Sequence, residues 1–291
     1  MTERMRLLAM KAPLHKERAI LRLLEPAGSC RNVLWERLFN GTYDKPFIID
    51  RGVWRFLHFD LFAVQSAMNL LHPERLSLNY TRKMMTFLLF NPEPARILLL
   101  GLGGGSLAKF CYWHLPQSSI TAVEVNPDVI ALRKAFCVPE NDARFRVIQA
   151  EGADYVARAA RSKDVILADA CDRNGIAAEC DSLEFYRHVY HLLDRGGVFI
   201  TNLCSEASAT HVRKIRTVFG EHCLTLRARR DGNLILLALK EPCGAIDWPK
   251  LEASAIALKR RLGLDFPRYV RRVRQGHVAS LEHSRESASQ P

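Results

Sequence analysis

The chain has 291 residues, 48% of them hydrophobic and 25% charged, with a formal net charge of +11. That length suits one large domain, or one domain with a smaller appendage, and that apolar content is ample for a buried core. No apolar run reaches the ~20 residues that a membrane span needs. The basic N-terminal stretch, interrupted by Pro13, lacks the apolar segment of a secretory signal, so a cytoplasmic protein with no membrane partner is the expectation.

In chain order, residues 1–30 read as a basic leader carrying one amphipathic helix. Residues 31–92 form a second unit. PFIID, the Arg51-Gly52 turn and VWRFLHF read as a β-hairpin, and the segment after Pro73 as a helix with Leu76, Tyr80, Met84 and Phe87 on one face. From Ala95 the pattern alternates regularly. ARILLLG, SITAVEV, ARFRVIQA, DVILADA and GVFITNLC read as strands. Ser106 to His114, the segment after Asn126-Pro127, Asp154 to Arg161, Ser182 to Leu193 and Ser208 to Phe219 read as helices. Continuously apolar strands alternating with helices predict a doubly wound, mostly parallel sheet covered on both faces. CLTLRARR and NLILLALK around Asp231-Gly232 then predict a closing antiparallel hairpin. These elements place a doubly wound unit at 93–242 and a basic helical tail with a disordered end at 243–291.

The eight cysteines form no C-x-x-C pair and fit free thiols in a reducing compartment. The histidines show no metal spacing, so no metal is expected. Basic residues concentrate in the first 24 positions and from Lys259 to Arg274. Without a nucleic-acid module motif they read as solvated helix faces, and a nucleic-acid partner is not expected, though the basic ends leave it open.

The densest signal is Ile97 to Glu124. An apolar strand stops at Gly101-Leu102-Gly103-Gly104-Gly105, a helix follows, and a second strand ends on Glu124 beside Val125. Glycines let backbone approach a ligand, and a carboxylate closing the next strand can accept hydrogen bonds from ribose hydroxyls. The third glycine of a dinucleotide fingerprint is replaced by Ser106. Downstream strands end near Glu151-Gly152 and at Asp169-Ala170-Cys171-Asp172, so four carboxylates converge on one crevice. They would repel a pyrophosphate and attract a sulfonium or an amine. Blander readings stand beside these: Glu151 as a helix-start residue, Asp172 as a turn former and Tyr80 as plain core.

On these residues the chain resembles the spermidine synthase (polyamine aminopropyltransferase) family, in its divergent bacterial branch, across roughly Pro46 to Lys240. The carrying segments are Tyr80 to Met84, the turn GLGGGSL, VEVNPDVI, DVILADACD, Glu184 to Tyr186 and GGVFITNL. The resemblance implies a seven-stranded sheet of the class I methyltransferase type, ending in an antiparallel hairpin, with a small N-terminal β-hairpin unit. It implies transfer of an aminopropyl group from decarboxylated S-adenosylmethionine to a di- or polyamine, with methylthioadenosine leaving, and it allows for a homodimer. Asp169 matches the family's base, Asp172 an amine or donor ligand, and Tyr80 the pocket tyrosine. Glu124 matches the ribose acid and Glu151 the adenine-side acid, with Gly101, Gly103, Gly104, Gly105, Val125 and Gly152 around the donor. The chain departs at Gly104, where the family carries an acid, at Thr81 for a glutamine, and at Arg173 for a proline. Those departures keep open a methyltransferase using ordinary S-adenosylmethionine, and a non-catalytic binding protein on the same fold.

Overall fold

The computed structural model describes residues 7–11, 19–160, 162–169, 171–172, 175–204, 208–227, 233–241 and 244–288, with the backbone alone for 171, 172, 175, 176 and 278–288. The N-terminal part is a five-stranded antiparallel sheet of β1 (Leu8–Lys11), β2 (Ala19–Leu23), β3 (Phe47–Arg51), β4 (Trp54–His58) and β5 (Val64–Asn69), in that spatial order, with α1 (Arg31–Phe39) between β2 and β3. The hairpin at Gly52 stands as the sequence predicts, and Gly52 takes a left-handed φ of +54°. The helix expected within residues 1–30 is instead β1 and β2. Their side chains alternate between buried and exposed, the period-two pattern of a strand with one covered face. The segment after Pro73 becomes helical only at α2 (Asn79–Met84), which tightens into a 3-10 turn over Met85–Leu89.

The larger part alternates β6 (Arg96–Leu100), α3 (Ser106–His114), β7 (Ser119–Glu124), α4 (Pro127–Leu132), β8 (Phe145–Gln149), α5 (Gly152–Arg158) and β9 (Lys163–Ala168). A two-residue pair, β10 (Cys171–Asp172) and β11 (Gly175–Ile176), leads to α6 (Leu183–Leu192), β12 (Leu193–Leu203), α7 (Ser208–Phe219), β13 (Cys223–Arg227) and β14 (Leu234–Leu239). The seven-stranded sheet has the order β13-β14-β12-β9-β6-β7-β8. Strands β12, β9, β6, β7 and β8 run parallel, and β14 runs antiparallel to both β12 and β13. This is the predicted sheet with its terminal hairpin. Its central strands are buried on both faces, which is why they are uninterrupted apolar runs.

One face packs on α5, α6 and α7 through Val156, Tyr186, Val189, Phe199 and Ile215. The other face packs on the N-terminal unit and on α8 (Trp248–Leu262) and α9 (Phe266–Ala288), whose Leu258, Phe266, Val270 and Val273 join the same core as Leu99 and Leu237. The basic tail is therefore partly core. The backbone of α9 continues to Ala288, through residues whose composition predicts disorder. Among the cysteines, Cys30, Cys111, Cys137, Cys180 and Cys223 are free, whereas Cys204 is disulfide-bonded, contrary to the expectation of free thiols throughout. Among the described residues, no helix is long and apolar enough to cross a membrane.

Candidate functional site

The chain runs from β6 outward to β7 and β8, then returns to place β9 on the other side of β6. The order reverses at that point. Ligands in open α/β sheets bind at such a switch, outside the carboxyl ends of the strands. Gly101 N–H donates to the Val123 carbonyl at 2.9 Å, and Asp169 N–H donates to the Leu100 carbonyl at 2.9 Å. These bonds bring the glycine turn, Glu124 and Asp169 to one edge. Tyr80, Gly101, Gly103, Gly104, Glu124, Val125, Glu151, Gly152 and Asp169 all line one cavity of about 1040 Å³.

In the turn, Gly101, Gly103 and Gly105 have φ of +92°, +51° and +66°, a region costly to residues with a Cβ. A side chain at Gly105 would also strike Val138. The turn opens α3, so the strand–glycine–helix layout of the sequence is realised. Glu124 is bonded to the turn itself: its Oε2 accepts from Leu102 N–H at 2.9 Å and Gly103 N–H at 3.4 Å, and its Oε1 from Asn126 N–H at 2.9 Å. Glu151 lines the cavity and also caps α5, its Oε2 accepting from Asp154 N–H at 2.8 Å. The helix-start reading of Glu151 thus holds alongside its place at the cavity.

Asp169 is an acid of the cavity whose pKa is displaced. Tyr80 Oη donates to its Oδ2 at 3.0 Å, and Asn202 Nδ2 donates to its Oδ1 at 3.0 Å. Burial raises its pKa, and the two donated hydrogen bonds only partly offset that rise. A half-buried carboxyl with raised pKa, oriented by neutral donors and facing a cavity, has the character of a general base. The β10–β11 backbone follows directly, but the Asp172 side chain lies outside the described residues, as does Arg173. Thr81 is buried, and its hydroxyl donates to the Leu78 carbonyl at 2.8 Å.

Sequence reasoning passes over several polar residues that line the cavity, among them Asn202, Ser66 and Ser106. Asn202 has a detectable signal, a polar side chain at the end of an apolar central strand. Ser66 has none, because it arrives from β5 in the other sheet, where its Oγ lies 3.3 Å from Ser106 Oγ. That sheet is also tied down by Arg55 Nη1 donating to the Ala135 carbonyl at 2.5 Å, and by Lys109 Nζ lying 3.0 Å from Met68 Sδ.

The cavity's charge is one-sided. Asp44, Glu124, Glu151 and Asp169 line it, and no lysine or arginine does among the described residues. On a chain of net charge +11 this is a local inversion, and it selects for cationic ligands. The volume, the glycine cradle and the carboxylates that line the cavity fit an S-adenosylmethionine-type donor beside an amine. Among the described residues, no group of three or more histidines, cysteines or carboxylates could hold a metal ion.

The chain is similar to known proteins in both sequence and fold. A family model described as the spermine/spermidine synthase domain matches residues 78–219, a span containing Tyr80, Glu124, Asp169 and Asn202. A polyamine aminopropyltransferase of Chromobacterium violaceum is 36% identical over 239 residues, covering 81% of this chain and 92% of the relative. The structure of a probable spermidine synthase from Corynebacterium glutamicum shares the fold at a TM-score of 0.59 and 19% identity, over 87% of this chain and 86% of its own. Human methyltransferase-like protein 13, solved in complex with SAH, aligns at a TM-score of 0.59 and 26% identity over 64% of this chain and 93% of its own. With nearly the whole length of the Chromobacterium relative spanned, and the domain model reaching across three of the four acids that line the cavity, the chain belongs to the spermine/spermidine synthase family of transferases, the polyamine aminopropyltransferases.

Proposed function

We propose that the chain transfers an aminopropyl group from decarboxylated S-adenosylmethionine to a di- or polyamine. The observation that carries the reading is the cavity at the sheet's switch point, whose charged lining among the described residues is all acidic, with one carboxylate in it held by two hydrogen bonds and raised in pKa. When bound, the donor supplies an electrophilic carbon beside its sulfonium and releases methylthioadenosine. Glu124 holds the ribose hydroxyls, Glu151 and Gly152 take the adenine side, and Gly101 to Gly105 with Val125 give the donor its backbone cradle. Asp169 removes the proton that blocks the attacking amine, and its raised pKa brings it closer to that task. Tyr80 and Asn202 keep both of its oxygens oriented while the amine enters. Asp172 serves as the second acid toward the amine.

Incubation with decarboxylated S-adenosylmethionine and a panel of di- and polyamines tests this. Methylthioadenosine and an amine heavier by one aminopropyl unit should form together. Formation of neither with any amine refutes the reading. A second reading, methyl transfer from ordinary S-adenosylmethionine, is favoured by one observation, the lack of an acidic side chain at Gly104. It predicts S-adenosylhomocysteine as the product in place of methylthioadenosine.

A further inference from the structure

Gly104 differs from its neighbours in the turn. Its φ is not left-handed, unlike those of Gly101, Gly103 and Gly105, so its backbone does not require glycine. Space does. A Cβ at this position would lie 2.5 Å from Ser66 Oγ, 2.9 Å from Ser66 Cβ and 3.1 Å from Phe136 Cδ1. No side chain fits at 104 while Ser66 stands where it does, and Ser66 is itself buried in the docked N-terminal sheet. The point where the cavity meets the start of α3 is therefore furnished by hydroxyls. Ser66 Oγ and Ser106 Oγ are 3.3 Å apart, and both residues line the cavity. The pair has two hydroxyl hydrogens and its mutual bond uses one, so in either orientation one hydrogen remains to donate.

The next layer out is cationic. Two residues along β5 from Ser66, Met68 meets Lys109, a lysine only 1% exposed on the first turns of α3. The Lys109 ammonium donates to the Phe136 carbonyl at 2.7 Å, and the ring of that phenylalanine is the one facing Gly104. Both acceptors are neutral. Burial holds the Lys109 pKa down at about 8, and the charges of Cys137 and Glu74 raise it only in part. A buried cation short of a counter-charge thus stands behind a hydroxyl pair with a hydrogen to give. A carboxylate in the cavity accepts the spare hydrogen and offsets the cation from the layer in front of it, and an ammonium does neither.

We propose that Ser66 and Lys109 are specificity-determining residues that fit the Gly104 end of the cavity to a donor tail retaining its α-carboxylate, so that the protein binds ordinary S-adenosylmethionine at least as tightly as the decarboxylated form. This rests on the reading of the cavity as the donor site. It concerns which tail is accepted, and it leaves the roles of Glu124 and Asp169 unchanged.

The test is calorimetry with both donors on the full-length chain and three variants. The wild-type protein should bind the carboxylated donor as tightly as the decarboxylated one, or more tightly. Ser66→Ala should weaken the carboxylated donor about tenfold, the value of one charge-assisted hydrogen bond, and move the decarboxylated donor less than about twofold. Lys109→Met should act in the same direction. The paired change Ser66→Gly with Gly104→Asp opens the space and installs an acid, and it should invert the preference by about thirtyfold or more. A wild-type preference for the decarboxylated donor beyond about tenfold overturns the proposal and leaves the donor-site reading intact. So does an unchanged ratio in the paired variant. Binding of neither donor to the wild type overturns both. Should Lys109→Met fail to fold, the Ser66 and paired variants decide.

Discussion

Replacing Tyr80 by phenylalanine isolates the group that orients the proposed base. The ring stays, and one hydrogen bond of 3.0 Å to Asp169 Oδ2 is lost. A hydrogen bond to a charged acceptor is worth about 1.5–3 kcal/mol, and one to a neutral acceptor about 0.5–1.5 kcal/mol. The loss therefore falls on the ionised form of Asp169 by roughly 1–1.5 kcal/mol, close to a tenfold factor. Asp169 must be ionised to accept a proton, and burial already raises its pKa. Removing Tyr80 Oη raises it further, so the acid limb of the kcat/KM profile should move to higher pH. At a pH on that limb the variant should be about tenfold slower, and the deficit should close as pH rises and both proteins become fully ionised. The assay is methylthioadenosine release against pH for the two proteins. A deficit of the same size at every pH would refute the reasoning, because Tyr80 would then be acting through contact with substrate or through packing.

Three further outcomes follow from the same charges. Asp169→Asn should lower kcat by about 10²–10⁴-fold and still raise thermal stability at neutral pH. A folded-state pKa above the unfolded value means stability is greatest below the unfolded pKa and declines as pH rises through the folded one, and the amide removes that penalty. A fall in the melting temperature would count against the base assignment. Lys109, held at about 8 against 10.5 when unfolded, should make the protein gain stability from pH 8 to pH 10.5, by as much as about 3 kcal/mol. That gain is read as the difference between wild type and Lys109→Met in urea unfolding at the two pH values, and equal pH slopes would contradict it. Asp181 is lowered although burial pushes it upward, because Lys214, His211 and Tyr186 all bond to it. Its contribution is present above the ordinary carboxylate range and lost as pH falls through its folded value. Asp181→Asn should therefore cost about 2 kcal/mol at pH 7, and the cost should shrink progressively as pH falls below the ordinary carboxylate range in the same unfolding experiment.

Much of the larger domain is legible in the sequence because local and global signals coincide there. The strands that become β6, β7 and β9 are apolar runs closed by a glycine or an acid. Asn126 accepts from the N–H groups of Asp128 and Val129, as its place before Pro127 predicts. The reading fails where the deciding partner is remote. β1 and β2 are short, basic segments whose alternation shows only once β3 supplies an edge to pair with. Asn202 acquires its contact because β12 lies parallel to β9 with Thr201 opposite Ala168, a register that no local pattern carries.

The site shows the same division. The glycine turn, Glu124 and Asp169 are legible because strand ends in a doubly wound sheet must meet at the switch point, whatever the rest of the chain does. Gly104 is legible only as a departure, an acid missing from a motif. Its cause lies 38 positions upstream in sequence, in the hydroxyl of Ser66. The two positions form one steric unit, so a side chain cannot be added at 104 while Ser66 is kept. An acid placed at 104 beside an intact Ser66 would meet an oxygen at 2.5 Å from its Cβ and would have to displace β5 or distort the turn. Gly104→Asp by itself should therefore lose binding of both donors through distortion. Only with the Ser66 side chain removed should the same acid act as a charge and separate them.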